Sequence, residues 1–158
     1  MLSDKIKGLI FGQAIGDALG LASEFMTKEE VKHFYPNGIR SYDDIIQDRH
    51  RSLWQKGTWT DDTDQMLCIL DSIIENKAID LTDIAKRFVA WKQTSGIGIG
   101  RHTLNVLSIS DYVENPFKAS ELIWNMSRKQ SAANGAIMRT AILGCWNYTD
   151  WERVKVNT

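Results

Sequence analysis

Almost throughout the chain the apolar residues recur at helical spacing, and no segment alternates convincingly as a half-buried strand would. That periodicity predicts an all-α fold. Ile6, Leu9, Ile10, Ala14, Ala18 and Leu19 form one face of a first helix. Gly8, Gly12, Gly16 and Gly20 recur every fourth residue along it, with Asp17 beside the row. A glycine inside a helix costs about 1 kcal/mol relative to alanine. The row therefore predicts either another backbone packed very close or space kept for a site.

The remaining elements follow from the same spacing. A short helix is expected over 28–34. A long polar loop follows, containing the turn Pro36-Asn37-Gly38 and the stretch from Asp43 to Arg51. A helix after Asp61 turns Met66, Leu67, Leu70, Ile73 and Ile74 inward. The next is capped by Asp80 and carries Ile84, Phe88 and Trp91 on one stripe. Helices are also expected near 102–107, after Asn115-Pro116 (with Ala119, Leu122, Ile123 and Met126), over 136–146, and after an Asp150 cap.

Composition excludes several classes. The 158 residues fit a single domain, 1–158, with 19 Lys and Arg against 20 Asp and Glu, a net charge of −1. That balance leaves no electrostatic footprint for nucleic acid or an anionic membrane. Arg49-His50-Arg51 is the one basic cluster and reads as a solvated loop. Cys68 and Cys145 fit buried free thiols and a reducing compartment. No apolar run spans a bilayer, and the segment from Met1 to Lys7 is too polar for a signal peptide, so a soluble cytoplasmic protein is expected.

The chemistry concentrates in Gly57-Thr-Trp-Thr-Asp-Asp-Thr-Asp-Gln-Met-Leu67. Three aspartates and three threonines lie between Thr58 and Gln65, immediately before an apolar helical run. Asp and Thr are favoured helix caps, and acids suit a helix N-terminus. A second consecutive Asp, then Thr63 and Asp64, exceeds what capping requires. A hard cation needs crowded oxygen ligands, and the metal reading goes ahead of the capping reading, though the two are compatible.

Other constellations are weaker. Gly96-Ile-Gly-Ile-Gly100 lacks the strand and the Gly-Lys-Ser/Thr ending of a phosphate loop, and by itself reads as an interhelix turn. Ser131-Ala-Ala-Asn-Gly135, before Met138-Arg139, sets small residues ahead of an expected helix. Its N–H groups suit a diphosphate, and an ordinary Asn134 cap is an equal alternative. Glu24 is near enough in sequence to Asp17 to share a site. His33, His50 and His102 show no metal-ligand spacing, and none is assigned a catalytic role.

Taken in order, these segments resemble the ADP-ribosylglycohydrolase family, which includes the dinitrogenase reductase activating glycohydrolases. Gly12–Gly20 resembles the family's opening glycine-rich helix, and Thr60-Asp61-Asp62-Thr63 its first metal motif. Gly98-Ile-Gly100 through Thr103 is similar to its central glycine loop, and Asn134-Gly135-Ala136 with Met138-Arg139 to the segment near the diphosphate and ribose. The resemblance implies an all-α fold, an orthogonal multi-helix bundle incomplete relative to the full family domain, which in its full form holds two Mg2+ or Mn2+ ions, and cleavage at C1 of an ADP-ribosyl group on a protein or small molecule. By carry-over, Thr60, Asp61 and Asp62 are metal ligands. Glu24, Asp61 and Asp62 are the catalytic candidates, with Glu24 positioning substrate or water. Asp17, Gly98, Gly100, Ser131, Asn134 and Gly135 are the substrate-binding candidates.

Two departures stand out: Gly98 replaces the Asp that often precedes Ile-Gly, and Ala133 replaces the usual Gly before Asn-Gly. The family's second acidic motif, of Asp-x-Asp-Thr type, does not follow Asn134. The likeness is thus to the N-terminal half of the family domain, in a chain roughly twice this length by the usual domain scale. Incomplete ligation implies weak or absent activity for the isolated chain, and uncovered apolar faces imply a homo-oligomer or a complementary C-terminal chain. The alternative is a non-enzymatic helical binding or structural module of the same fold. A different magnesium-dependent phosphohydrolase would need a phosphate-gripping Arg/Lys set that the sequence does not display.

Overall fold

Side-chain caps open several of the helices. In a computed structural model that describes residues 2–131 and 133–158, all regular structure is helical. The α-helices are α1 (Leu2–Gly20), α2 (Lys28–Phe34), α3 (Asp61–Asn76), α4 (Leu81–Thr94), α5 (Arg101–Val106), α6 (Pro116–Met126) and α7 (Trp151–Asn157). Short 3-10 turns punctuate the connections. The all-α expectation is met. Of the motifs read from the sequence, Met1 and the Ala132 of Ser131–Gly135 lie outside the described residues. The chain divides into two compact units, the first ending at Thr60 and the second beginning at Asp61.

In the first unit, α2 starts on a reciprocal cap. The Glu30 N–H donates to Thr27 Oγ1 at 3.2 Å, and the Thr27 N–H donates to Glu30 Oε2 at 2.7 Å. A small core of Ala22, Tyr35 and Ile45 gathers Met26, Val31, Ile39, Tyr42 and Ile46 around it. The Tyr35 hydroxyl, buried there, accepts the Ile46 N–H at 3.2 Å. In α1 the anticipated apolar face is the less exposed one, with Ala18 buried. The glycine row corrects one expectation. A methyl group built at Gly8, Gly12, Gly16 or Gly20 would meet nothing within 4 Å, so no close backbone explains the row. Phe11 and Ile15, on the same side, are 64% and 49% exposed.

In the second unit, α3 packs on α4, α6 packs on both α4 and α5, and a 3-10 turn at Ala141–Cys145 packs on α3 and α7. The inward stripe of α3 is Met66, Ile69 and Ile73. Ile74, expected inward, is 54% exposed, because one residue beyond Ile73 is a 100° rotation off the stripe. In α4, Ile84, Phe88 and Trp91 are all buried, and Asp80 caps the helix by accepting the N–H groups of Thr82 (2.9 Å) and Asp83 (3.0 Å). In α6, Ala119 and Ile123 are buried, whereas Leu122 and Met126 face solvent.

The expected helix over 136–146 is absent. Two 3-10 turns, Asn134–Ala136 and Ala141–Cys145, stand there, closed by bonds such as Leu143 N–H to Thr140 O at 2.9 Å. Gly135, Thr140 and Gly144 are poor helix formers, and Ile142 and Leu143 reach the interior without a continuous helix. Asp150 caps α7 by accepting the Arg153 N–H at 3.1 Å.

Candidate functional site

The first unit presents two anchored acids. Asp17, in the last turn of α1, accepts both the Thr60 N–H at 2.9 Å and the Thr60 hydroxyl at 2.7 Å. Two bonds to one carboxylate fix the backbone and the rotamer of the residue that immediately precedes α3. Asp17, read from the sequence as a substrate contact, is in this structure the anchor of Thr60.

Glu24 follows the 3-10 turn Leu21–Ser23, and its carboxylate Oε2 lies 2.7 Å from His50 Nε2. Of Arg49-His50-Arg51, only Arg49 is exposed as a solvated loop residue would be; Arg51 corrects the sequence reading. Arg51 is 3% exposed. Its Nε donates to the Ala22 carbonyl at 2.8 Å and its Nη2 to the Glu24 carbonyl at 2.6 Å, while Nη1 pairs with Asp48. A buried guanidinium requires such partners, and here they are the backbone on either side of the Leu21–Ser23 turn's end. Asp48 completes the clamp by accepting the N–H groups of Arg51 (2.8 Å) and His50 (3.0 Å). Those bonds, the one from Arg51 first, hold the Asp48 carboxyl below its ordinary value of 3.8. Next to Glu24, Phe25 adopts a left-handed conformation (φ 59°), with its ring 5.2 Å from that of His50.

The second unit opens on the acidic turn. Asp61 is 8% exposed, Thr63 and Gln65 are buried, and Asp62 is half-buried. Simple capping acids would face water, so this start of α3 is an interior feature. Gln65 Nε2 donates to Asp61 Oδ2 at 3.2 Å, and Gln65 Oε1 accepts from Arg139 Nη1. The Arg139 guanidinium lies 4.9 Å from the centre of the Phe88 ring. Burial lowers the Arg139 pKa, opposed by the nearby Tyr112 and Asp61. Asp64 is taken up structurally, accepting the Trp91 indole N–H at 2.9 Å. Cys68, one helical turn on, is a free thiol pushed up to about 11, mainly by burial.

The donors at Thr60, Asp61 and Asp62 are all oxygens, two of them carboxylates, which is the chemistry of a hard divalent cation such as Mg2+ or Mn2+. Among the described residues, no group of three or more His, Cys, Asp or Glu side chains is assembled that could hold a metal ion.

The glycine loop and the Asn-Gly turn meet. Gly98 has φ +89°, a conformation that a side chain would strain. Gly100 caps α5, whose Thr103 is buried. A methyl group on Gly135 would lie 3.0 Å from Thr103 Oγ1, so only glycine fits there without a shift. Asn134 is exposed and Ser131 half-buried. No α-helix begins directly after them, which corrects the expected helix there: Asn134 is the first residue of a 3-10 turn whose cap position is Ala133.

The order of these segments coincides with a family pattern. Residues 1–156 match the family model of ADP-ribosylglycohydrolase, and the chain belongs to that family. Its relatives include the ADP-ribosylarginine hydrolase Tri1 of Serratia proteamaculans, 31% identical over 145 residues (87% of this chain, 35% of the relative). The ADP-ribosyl-[dinitrogen reductase] glycohydrolase of Rhodospirillum rubrum is 33% identical over 104 residues (61% and 31%). An uncharacterized protein of Archaeoglobus fulgidus is 30% identical over 144 residues (90% and 43%). The chain thus spans less than half the length of these relatives.

Proposed function

We propose that this protein is a divalent-cation-dependent hydrolase that adds water across the glycosidic bond at C1 of an ADP-ribosyl group, releasing ADP-ribose and the freed side chain or small molecule. The observation that carries the reading is the family match over residues 1–156. It is supported by an acidic turn whose Asp61 is buried and held from within.

In this reading Thr60, Asp61 and Asp62 hold Mg2+ or Mn2+, with two ions in a complete site. Bound there, the cations would supply a grip on ribose hydroxyls and offset charge as the bond at C1 breaks. The chain's own residues do the rest. Asp17 holds Thr60 in place, and Arg51 with His50 holds Glu24, which orients substrate or the attacking water. Gly98, Gly100, Ser131, Asn134 and Gly135 offer small, close-approach surface to the nucleotide. Arginine-linked ADP-ribose is the first substrate to assay, because the Serratia relative is named for that linkage.

The test is release of ADP-ribose from ADP-ribosylarginine with and without Mg2+, alongside thermal melts with Mg2+ and ADP-ribose. Release that requires Mg2+, with a rise in Tm that Asp61→Asn and Asp62→Asn each abolish, is the expected result. Binding without release would assign the chain to a helical binding module instead. No response to either ligand would overturn the proposal.

A further inference from the structure

Gln65 is 0% exposed, yet it is the polar residue through which two charged groups of the second unit communicate. Its amide has only one chemically permitted orientation. Arginine can only donate, so Oε1 must face Arg139. An ionised carboxylate can only accept, so Nε2 must face Asp61. Arg139 is itself set by the Phe88 face beneath it. The chain of contacts therefore runs from a buried aromatic ring to a guanidinium, then an amide, then the Asp61 carboxylate.

The interposed amide has a specific advantage. A direct Arg–Asp ion pair would place a full positive charge against the carboxylate, where it would repel an incoming cation. Through the amide, the guanidinium is linked to the carboxylate by a neutral donor, and that N–H limits the orientations open to Asp61. We infer that Arg139, acting through Gln65, is a positioning pair that presents the Asp61 carboxylate to a divalent cation. This rests on the metal reading of Asp61 proposed above.

The test is Mn2+ titration of the full chain, followed by electron paramagnetic resonance of free Mn2+, with Tm measured in the absence of metal. Gln65→Met removes the donor to Asp61. The double variant Gln65→Met with Arg139→Met also removes the buried charge that the single change would strand. Both are expected to weaken Mn2+ binding about 10-fold or more, the usual effect of losing a group that orients a ligand. Arg139→Lys, which keeps a donor on Gln65 Oε1, should bind Mn2+ nearly as the unaltered chain does. A purely structural role would lower Tm and leave the Mn2+ affinity of the folded fraction unchanged.

If the double variant folds and binds Mn2+ like the unaltered chain, while Asp61→Asn does not bind, the positioning role is overturned and the metal reading stands. If Asp61→Asn binds as well as the unaltered chain, or the unaltered chain binds no Mn2+, the metal reading falls and takes this inference with it.

Discussion

At the scale of single residues, the least legible feature was Arg51. Its sequence neighbours, Arg49 and His50, suggested a solvated basic loop, yet its side chain is buried and holds the carbonyls of Ala22 and Glu24. Those acceptors lie 29 and 27 residues upstream, and no local charge pattern announces them. The partner that could have been noticed is Asp48, three residues before Arg51. Its folded carboxyl sits below the unfolded value of 3.8. The stability it contributes is therefore present above that value and lost as pH falls through the lower folded value. Thermal melts from neutral pH down to about pH 2.5 should show Tm falling below about pH 4. Asp48→Asn should have a lower Tm at neutral pH and a flatter profile in the acid range. A variant with an unchanged profile would remove Asp48 from the clamp. Asp61 and Asp62 were legible as candidates because three acids in four residues are hard to explain otherwise. Gln65 and Arg139 were not, since their link spans 74 residues and depends on packing.

At the scale of elements, the sequence was read well where a cap and a stripe agreed. Asp80 and the row Ile84, Phe88 and Trp91 are such a case, and α4 begins and buries as expected. Replacing Asp80 with alanine should cost about 1 kcal/mol, the usual loss for an N-cap. Urea unfolding at neutral pH would measure it as a lower midpoint with an unchanged slope. A change within error would mean that water satisfies the Thr82 and Asp83 N–H groups equally well. The stretch from 136 to 146 was misread for the complementary reason. Its apolar residues have helical spacing, but Thr140 and Gly144 interrupt it, and burial of Ile142 and Leu143 is reached through a 3-10 turn. Periodicity reports which residues go inside, and propensity decides which helix type carries them there.

At the scale of the whole molecule, apolar residues remain on the surface in quantity. Phe11, Phe25, Phe117, Met126, Ile137 and Trp151 are each at least 64% exposed. No helix among the described residues is long and apolar enough to cross a membrane. Exposed apolar side chains of this size favour association where they adjoin one another. The chain should therefore enhance the fluorescence of the dye ANS in its native state and associate as its concentration rises. Phe11→Glu, on a position that touches little, should reduce both without lowering Tm; sedimentation velocity would read the association. If the native chain neither binds the dye nor associates, those side chains are ordinary scattered surface residues. The glycine row of α1 has a different consequence. Where a methyl group would meet no neighbour, alanine at Gly8 or Gly12 narrows the freedom of the unfolded chain without a clash, so each exchange should slow the loss of structure on heating.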